Sequence, residues 1–400
     1  MEGAMSGGDA ERLGAEGSTR PMTMIEFVQD GVLKKTSGSY FRGENPSFYP
    51  TDSSLQRDDA VAEYLVKGLM PERPFIDKSA PIVAFGSCFA SHVADYLHEA
   101  GYNVTNKTRS KAYVTQMGDG MVHTHAIRQQ FEWAWLDRVP RQALWHGYKA
   151  EDFGYDETAR LETKQLFDEA DVFIITFGLS EIWYDDVTKE VFWRAPPREV
   201  FDGTRHKFRV SEFGESLDNI RAIHALIRRF RPTATIIFTL SPVALTATFR
   251  PLACEAANSV SKAILRAAID QHYRETKPED DKLFYFPSYE IVTSNFLRPF
   301  RSDRRHVCLP VVDLNMKIFE NYFCLNDFPQ DFVGKAFRAA LREDKGMAGS
   351  DRTWDEIDQG RIDDIIERRR ALRIELRAAE AQQRRAERIQ ERQAARRKAP

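Results

Sequence analysis

A hydroxyl and a thiol stand side by side at Ser87 and Cys88, inside the run FGSCFASHVADYL over residues 85–97. Gly86 closes the apolar run PIVAFG, where a glycine lets the chain turn sharply, and an amphipathic pattern follows through Ala100. That order predicts strand, tight turn, helix. Free N–H groups and the dipole at a helix N-terminus favour negative charge, so a thiol at Cys88 is biased toward the reactive thiolate, above all beside a histidine. Ser87 in the same role needs a general base. The same small residues also suit a turn that merely lets helix and strand pack closely. A second cluster, RSDRRHV, sets Asp303 and His306 three residues apart. On a turn or short helix these side chains share one side, so the carboxylate fixes the imidazole tautomer and the other ring nitrogen is left to act as a base. Among nine histidines and 60 acidic residues such a spacing arises by chance, and its weight comes from its place after the last predicted strand.

Further candidates supply hydrogen bonds rather than a nucleophile. In TFGLSEIW (176–183), Gly178 permits close approach of backbone to ligand, and Ser180 or nearby N–H groups are candidate donors to a developing oxyanion. Glu181 and Trp183 in that string serve equally well as structural residues. In MGDGMVHTHAIRQQFEWAW (117–135), Gly118 and Gly120 precede a helix and offer another donor. Neither GxGxxG nor GxxxxGK[ST] occurs there, so no phosphate loop is present. His123 and His125 resemble a metal pair, yet no third ligand stands out, and neither a metal nor a cofactor is expected. Asn258, Ser261 and Lys262 in NSVSKAILRAAI share one side of a predicted helix, where they line the acceptor side of a site or belong to an ordinary amphipathic helix.

These residues need a frame. The grammar of PIVAFG recurs at DVFIITFG (171–178), ATIIFTLSP (234–242) and KLFYFPSYEIV (282–292), with helices predicted over 124–136, 217–230 and 255–273. Buried strands alternating with helices indicate an α/β fold with a mainly parallel sheet. In such a sheet the carboxyl ends of the strands face one way, so GSCF, GLSE, LSPV and RSDRRH are expected to converge on one crevice. The expected organisation is a disordered tail over 1–21, a domain over 22–345 with a wrapping segment at 22–74 and a core at 75–345, a linker at 346–360, and a charged helix at 361–400.

The 400 residues carry 57 basic and 60 acidic side chains, formal net charge −3, with 42% hydrophobic and 12% aromatic residues. This composition excludes a fibrous or wholly disordered chain, and the balance of charge gives no reason to expect nucleic acid as the main partner. Residues 361–400 depart from it, with 13 basic against 7 acidic residues, a net of +6 that leaves −9 for the remainder. Pairs such as Asp364 with Arg368 support a solvated helix by about 0.2–0.5 kcal/mol each. As a basic arm the segment suits an anionic partner: a membrane surface, RNA or an acidic protein. Cys88, Cys254, Cys308 and Cys324 show no CxxC spacing, which fits a reducing, cytoplasmic setting. Neither a secretory signal nor a transmembrane helix is expected from the sequence.

The string GSCFA at 86–90, followed in order by G-x-S-E-x-W, T-x-SPV, FPSYE and D-x-x-H, resembles the GSCFA family over roughly residues 45–325. That family is similar to the SGNH, or GDSL, hydrolase superfamily of esterases, lipases and carbohydrate O-acetyl esterases and acyltransferases. The resemblance implies a three-layer α/β/α sandwich, to which the composition of residues 361–400 adds a C-terminal charged helix. Carried over by position, it sets Cys88 at the nucleophilic serine and Ser87 one residue before it, with Ser87 as nucleophile if the block is shifted by one. It assigns Asp303 and His306 to the D-x-x-H block and Gly120 or Gly118 to the oxyanion glycine, and puts Ser180 where an asparagine is usual. The activity implied is that of an acyl-ester hydrolase or acyltransferase acting on a glycan or other hydroxylated substrate. The alternative is a non-catalytic binding or scaffold protein that uses the crevice and the basic helix to engage a partner.

Overall fold

The structure, a computed structural model, describes residues 23–29, 32–38, 46–108, 112–116, 120–142 and 156–359. Gly118, the lead-in 1–21 and the basic segment 361–400 lie outside the described residues. The chain divides into two units, residues 1–57 and 58–400. In the first, β1 (Thr23–Gln29) and β2 (Val32–Gly38) pair antiparallel, Thr23 opposite Gly38 and Gln29 opposite Val32.

The second unit holds a four-stranded, all-parallel sheet. Its strands are β3 (Ile82–Phe85), β4 (Val172–Phe177), β7 (Thr235–Leu240) and β8 (Leu283–Phe286), in that spatial order. Between β4 and β7, β5 (Glu181–Asp185) and β6 (His206–Val210) form a separate antiparallel pair. Helices among the described residues include, in chain order, α1 (Cys88–Glu99), α2 (Thr105–Thr108), α3 (Tyr113–Gln116), α4 (Thr124–Leu136), α5 (Glu157–Glu169), α6 (Phe213–Phe230), α7 (Cys254–Thr276), α8 (Ser288–Asn295), α9 (Leu309–Phe323) and α10 (Phe332–Ala348). The predicted helix over 217–230 begins earlier, because Glu212 and Glu215 close a reciprocal capping box around its first turn.

Both faces of the sheet are buried, which is why its strands read as unbroken apolar runs rather than alternating ones. Val83, Phe85, Phe173, Ile175, Ile236 and Phe238 point to one face, in a core shared with Phe131, Phe167, Ile220 and Leu265 of the helices. Residues of the opposite parity lie on the other face, where Phe286 meets Phe319 and Phe284 meets Phe323 of α9. Among the described residues no helix is long and apolar enough to cross a membrane.

The order of connections reverses beside β3. After α1 the chain returns to the outer side of β3, where Val104 makes a single parallel bridge to Ile82. There the Asn106 side chain takes the place of a neighbouring strand: its Oδ1 accepts from Ala84 N–H at 3.1 Å and its Nδ2 donates to Ala84 O at 2.8 Å. After β4 the chain crosses the other way, to β7 and β8. In an open α/β sheet such a reversal leaves a crevice at the carboxyl ends of the strands, the usual place for a ligand.

Candidate functional site

The crevice is a cavity of about 340 Å³. All four strand-end strings contribute to its lining: Ser87 and Cys88 after β3, Gly178 and Glu181 after β4, Ser241 and Val243 after β7, and Arg305 from the loop between α8 and α9.

Cys88 and Ser87 hold different places in it. Gly86 has φ +127°, and a Cβ on it would lie 2.1 Å from the carbonyl oxygen of Thr176 on β4, so only glycine lets the chain leave β3 here. Ser87 is the N-cap of α1, 2% exposed, and its Oγ accepts from Phe89 N–H at 3.2 Å. Cys88 is the first residue of the helix and is half-buried. The hydroxyl therefore serves the helix, while the thiol is the more accessible of the two.

Beneath the cavity lies Lys262, 2% exposed. Its Nζ donates to the carbonyls of Gly178 at 2.6 Å, Ser241 at 2.8 Å and Val243 at 2.7 Å. Three acceptors use all three protons of an ammonium, so this one side chain ties the exits of β4 and β7 together. Burial pulls its pKa from 10.5 down to about 7, with Cys88 drawing it up and Arg305 pushing it down. The two neighbours of Lys262 on the helix do similar work. Ser261 Oγ accepts from Ser180 N–H at 2.7 Å, and Asn258 Oδ1 accepts from Leu245 N–H at 3.1 Å. Asn258, Ser261 and Lys262 thus satisfy the strand-end backbone, and Lys262 also lies in electrostatic reach of the thiol.

The glycine and serine expected to offer oxyanion donors have their N–H groups engaged. Gly178 N–H donates to Val122 O at 2.7 Å, and Ser180, 1% exposed, donates to Ser261. Gly120 lines the cavity beside the Arg194 guanidinium, from which a Cβ would be only 2.0 Å away. His123 also lines it, but its ring is spent on structure. Nδ1 accepts from Ala126 N–H at 3.1 Å, and Nε2 lies 3.0 Å from Phe192 O, so Nε2 carries the proton. Burial, with His125 adding to it, lowers its pKa to about 3. His125 faces Glu215 at 3.1 Å.

Asp303 and His306 pair as their spacing suggests. His306 Nδ1 bonds Asp303 Oδ2, and Asp303 Oδ1 accepts from the N–H groups of Arg305 and His306, each at 3.0 Å. Burial works against the Asp303 carboxylate, but these backbone and imidazole donors outweigh it and hold its pKa at about 2. Both side chains are more than 40% exposed, and the residue of this loop that lines the cavity is Arg305. Its Nε and Nη2 donate to Ala244 O, with Nε also donating to Leu245 O, all within 3.2 Å. The structure thus brings the D-x-x-H loop to the rim of the cavity through Arg305.

The loop is held from behind by Asp344 of α10 and by residues the sequence assigns to a linker. Asp344 accepts from Leu297 and Arg298 N–H, each at 2.7 Å. Trp354 Nε1 donates to Arg298 O at 2.6 Å, and Asp355 takes Arg301 Nε and Ser302 N–H, each at 2.8 Å. Trp354 is 2% exposed and Asp358 fully buried.

Sequence reasoning passed over Arg194, Arg305 and the wall formed by β5 and β6. The signal for Arg305 was within RSDRRH itself, whereas the antiparallel pair has neither a short turn nor a strict apolar alternation to betray it. Of the tryptophans, Trp133 and Trp135 belong to the core, Trp193 belongs to the core and lines the cavity, and Trp183 lines the cavity from β5.

No curated protein matches the chain. The model of the GSCFA family matches residues 81–319, a span that runs from the strand before Gly86 to α9 and carries Cys88, Lys262, Asp303 and His306. The chain belongs to the GSCFA family.

Proposed function

We propose that the cavity is an acyl-transfer centre in which Cys88 is the nucleophile, working as an ester hydrolase or acyltransferase on a glycan or other hydroxylated substrate. The observation that carries this reading is the position of Cys88: a half-buried thiol at the first residue of α1, opening onto the cavity, with the ammonium of Lys262 in electrostatic reach. A helix N-terminus and a buried cation both favour a thiolate over a thiol. His306 takes the thiol proton, and Asp303 holds its ring. The sulfur attacks the ester carbonyl, the tetrahedral oxyanion forms at the N-terminal end of α1, and the C–O bond breaks as His306 returns its proton to the leaving alcohol. Water or a second alcohol then takes the acyl group from the thioester and restores the thiol. The likeness of the sequence blocks to SGNH hydrolases supports the reaction class, as does the meeting of the strand-end loops.

Intact-mass measurement after mixing with 4-nitrophenyl acetate tests the reading. A gain of one acetyl group is expected in the wild type and in Ser87→Ala, is absent in Cys88→Ala and is slowed in His306→Ala. A wild type that takes up no acetyl group, or a Cys88→Ala variant that takes it up equally well, overturns it; the former outcome favours a binding protein that uses the same crevice.

A further inference from the structure

Two residues of one cavity wall carry buried polar atoms that have no partner among the described residues. Glu181 and Trp183 are two apart on β5, so they share a face, and both line the cavity. Glu181 is 8% exposed. Its Oε1 accepts from Thr248 Oγ1 at 2.8 Å, while its Oε2 has no partner among the described residues. Trp183 Nε1, a donor, likewise has none. A buried acceptor and a buried donor left unpaired on one wall are uncommon, because each loses its water on folding and gains nothing in return. Around them the wall is aromatic: Trp183 pairs across the strands with Phe208 at 5.6 Å between centroids and meets Phe249 edge-on at 4.8 Å. The cover over this wall is Thr246–Phe249, where Thr246, Ala247 and Phe249 are exposed and the Thr248–Glu181 bond and the Phe249–Trp183 contact tie it to β5.

We propose that Glu181 and Trp183 form the subsite for an uncharged sugar ring, the hydroxyl-bearing part of the substrate, which enters beneath Thr246–Phe249. The proposal rests on the acyl-transfer reading for the role of the ring, though not for its binding. A ring hydroxyl donates to Glu181 Oε2 and accepts from Trp183 Nε1–H, and the C–H face of the ring lies against the aromatic side chains. A simple alkyl chain satisfies neither polar atom. At this wall an acidic sugar or a phosphate meets the like charge of the Glu181 carboxylate, although Arg194 and Arg305 line the same cavity. At about 340 Å³ the cavity is near the small end of ligand sites, which leaves room for one ring with a short acyl group rather than a long chain.

Isothermal titration calorimetry of the Cys88→Ala protein separates binding from chemistry. The probes are methyl glycosides of glucose and N-acetylglucosamine, methyl glucuronide as the charged counterpart, and hexanol as the apolar control. Saturable binding of at least one neutral glycoside is expected, weakened about tenfold or more by Glu181→Gln and by Trp183→Phe, which keeps an aromatic ring but loses the N–H. Glucuronide and hexanol are expected to bind at least tenfold more weakly. The proposal is overturned if no neutral glycoside saturates the site, if both variants bind as the parent does while retaining its circular dichroism, or if glucuronide or hexanol binds best. Acetylation of wild-type Cys88 without glycoside binding defeats the sugar subsite alone, and glycoside binding without acetylation defeats the acyl-transfer reading alone.

Discussion

The Cys88 turn is shaped by its own residues and by the adjoining strand. Gly86 presses on Thr176 of β4, and the Ser87 hydroxyl caps the helix that Cys88 begins. The His306 loop is held in the opposite way. Its tip is closed locally by Asp303, but its base hangs on Asp344, Trp354 and Asp355, which follow their partners by 46 to 56 residues and lie beyond the span matched by the family model. One half of the site is built by short-range stereochemistry, the other by tertiary contacts from a segment the family match does not include. The position of the loop can therefore change, through residues 344–358, without any change at Cys88.

The largest effect expected is at Gly86. Gly86→Ala places a Cβ against a strand carbonyl in a backbone conformation that L side chains avoid, so a loss of about 3 kcal/mol or more is expected from urea denaturation. A loss below about 1 kcal/mol would mean that the turn yields easily and that the contrast with the loop is false. Next is Asp344→Ala, which leaves two backbone N–H groups without their charged acceptor and costs about 2–3 kcal/mol. Hydrogen exchange sharpens this case: amides of residues 297–307 exchange faster in the variant, whereas those of α1 keep their protection. Equal acceleration in both places would show that the two halves are not held independently. A smaller effect, about 1 kcal/mol, is expected for Ser87→Ala from loss of the N-cap, with Cys88 still open to iodoacetamide.

The same contrast governs how much of the molecule was legible beforehand. Strands β3, β4, β7 and β8 announce themselves as apolar runs ending in Gly, Ser or Pro, because a sheet covered on both faces needs no polar positions. Cys88 was legible for a local reason, the Gly-Ser-Cys order at a strand end. The pairing of Asp303 with His306 was legible from spacing, yet the support of their loop was not, since Asp344 and Asp355 read as ordinary charged residues on a helix and in a linker. Lys262 could be placed on the right helix from sequence. That it ends among three carbonyls follows from how β4 and β7 terminate, and no local pattern records it. Glu181 was left ambiguous for the same reason: whether a carboxylate has one partner or two depends on the wall across from it.

The smallest effect expected is a pH dependence confined to the loop. The Asp303 pKa falls from 3.8 to about 2 in the folded protein, so the folded state prefers the charged carboxylate. Its contribution to stability is complete above pH 3.8 and is lost as the pH falls through about 2. Because the side chain is 42% exposed, solvent screens the interaction and the gain is modest. The difference in urea midpoint between wild type and Asp303→Asn should therefore be constant above pH 4 and shrink below it. Gly86, Ser87 and Cys88 include no carboxylate, so this titration does not reach the turn directly. Carboxyl carbon NMR reads the group itself. If Asp303 titrates at its ordinary value, the N–H groups of Arg305 and His306 do not hold it, and the loop depends on Asp344 and Asp355 for its tip as well as its base.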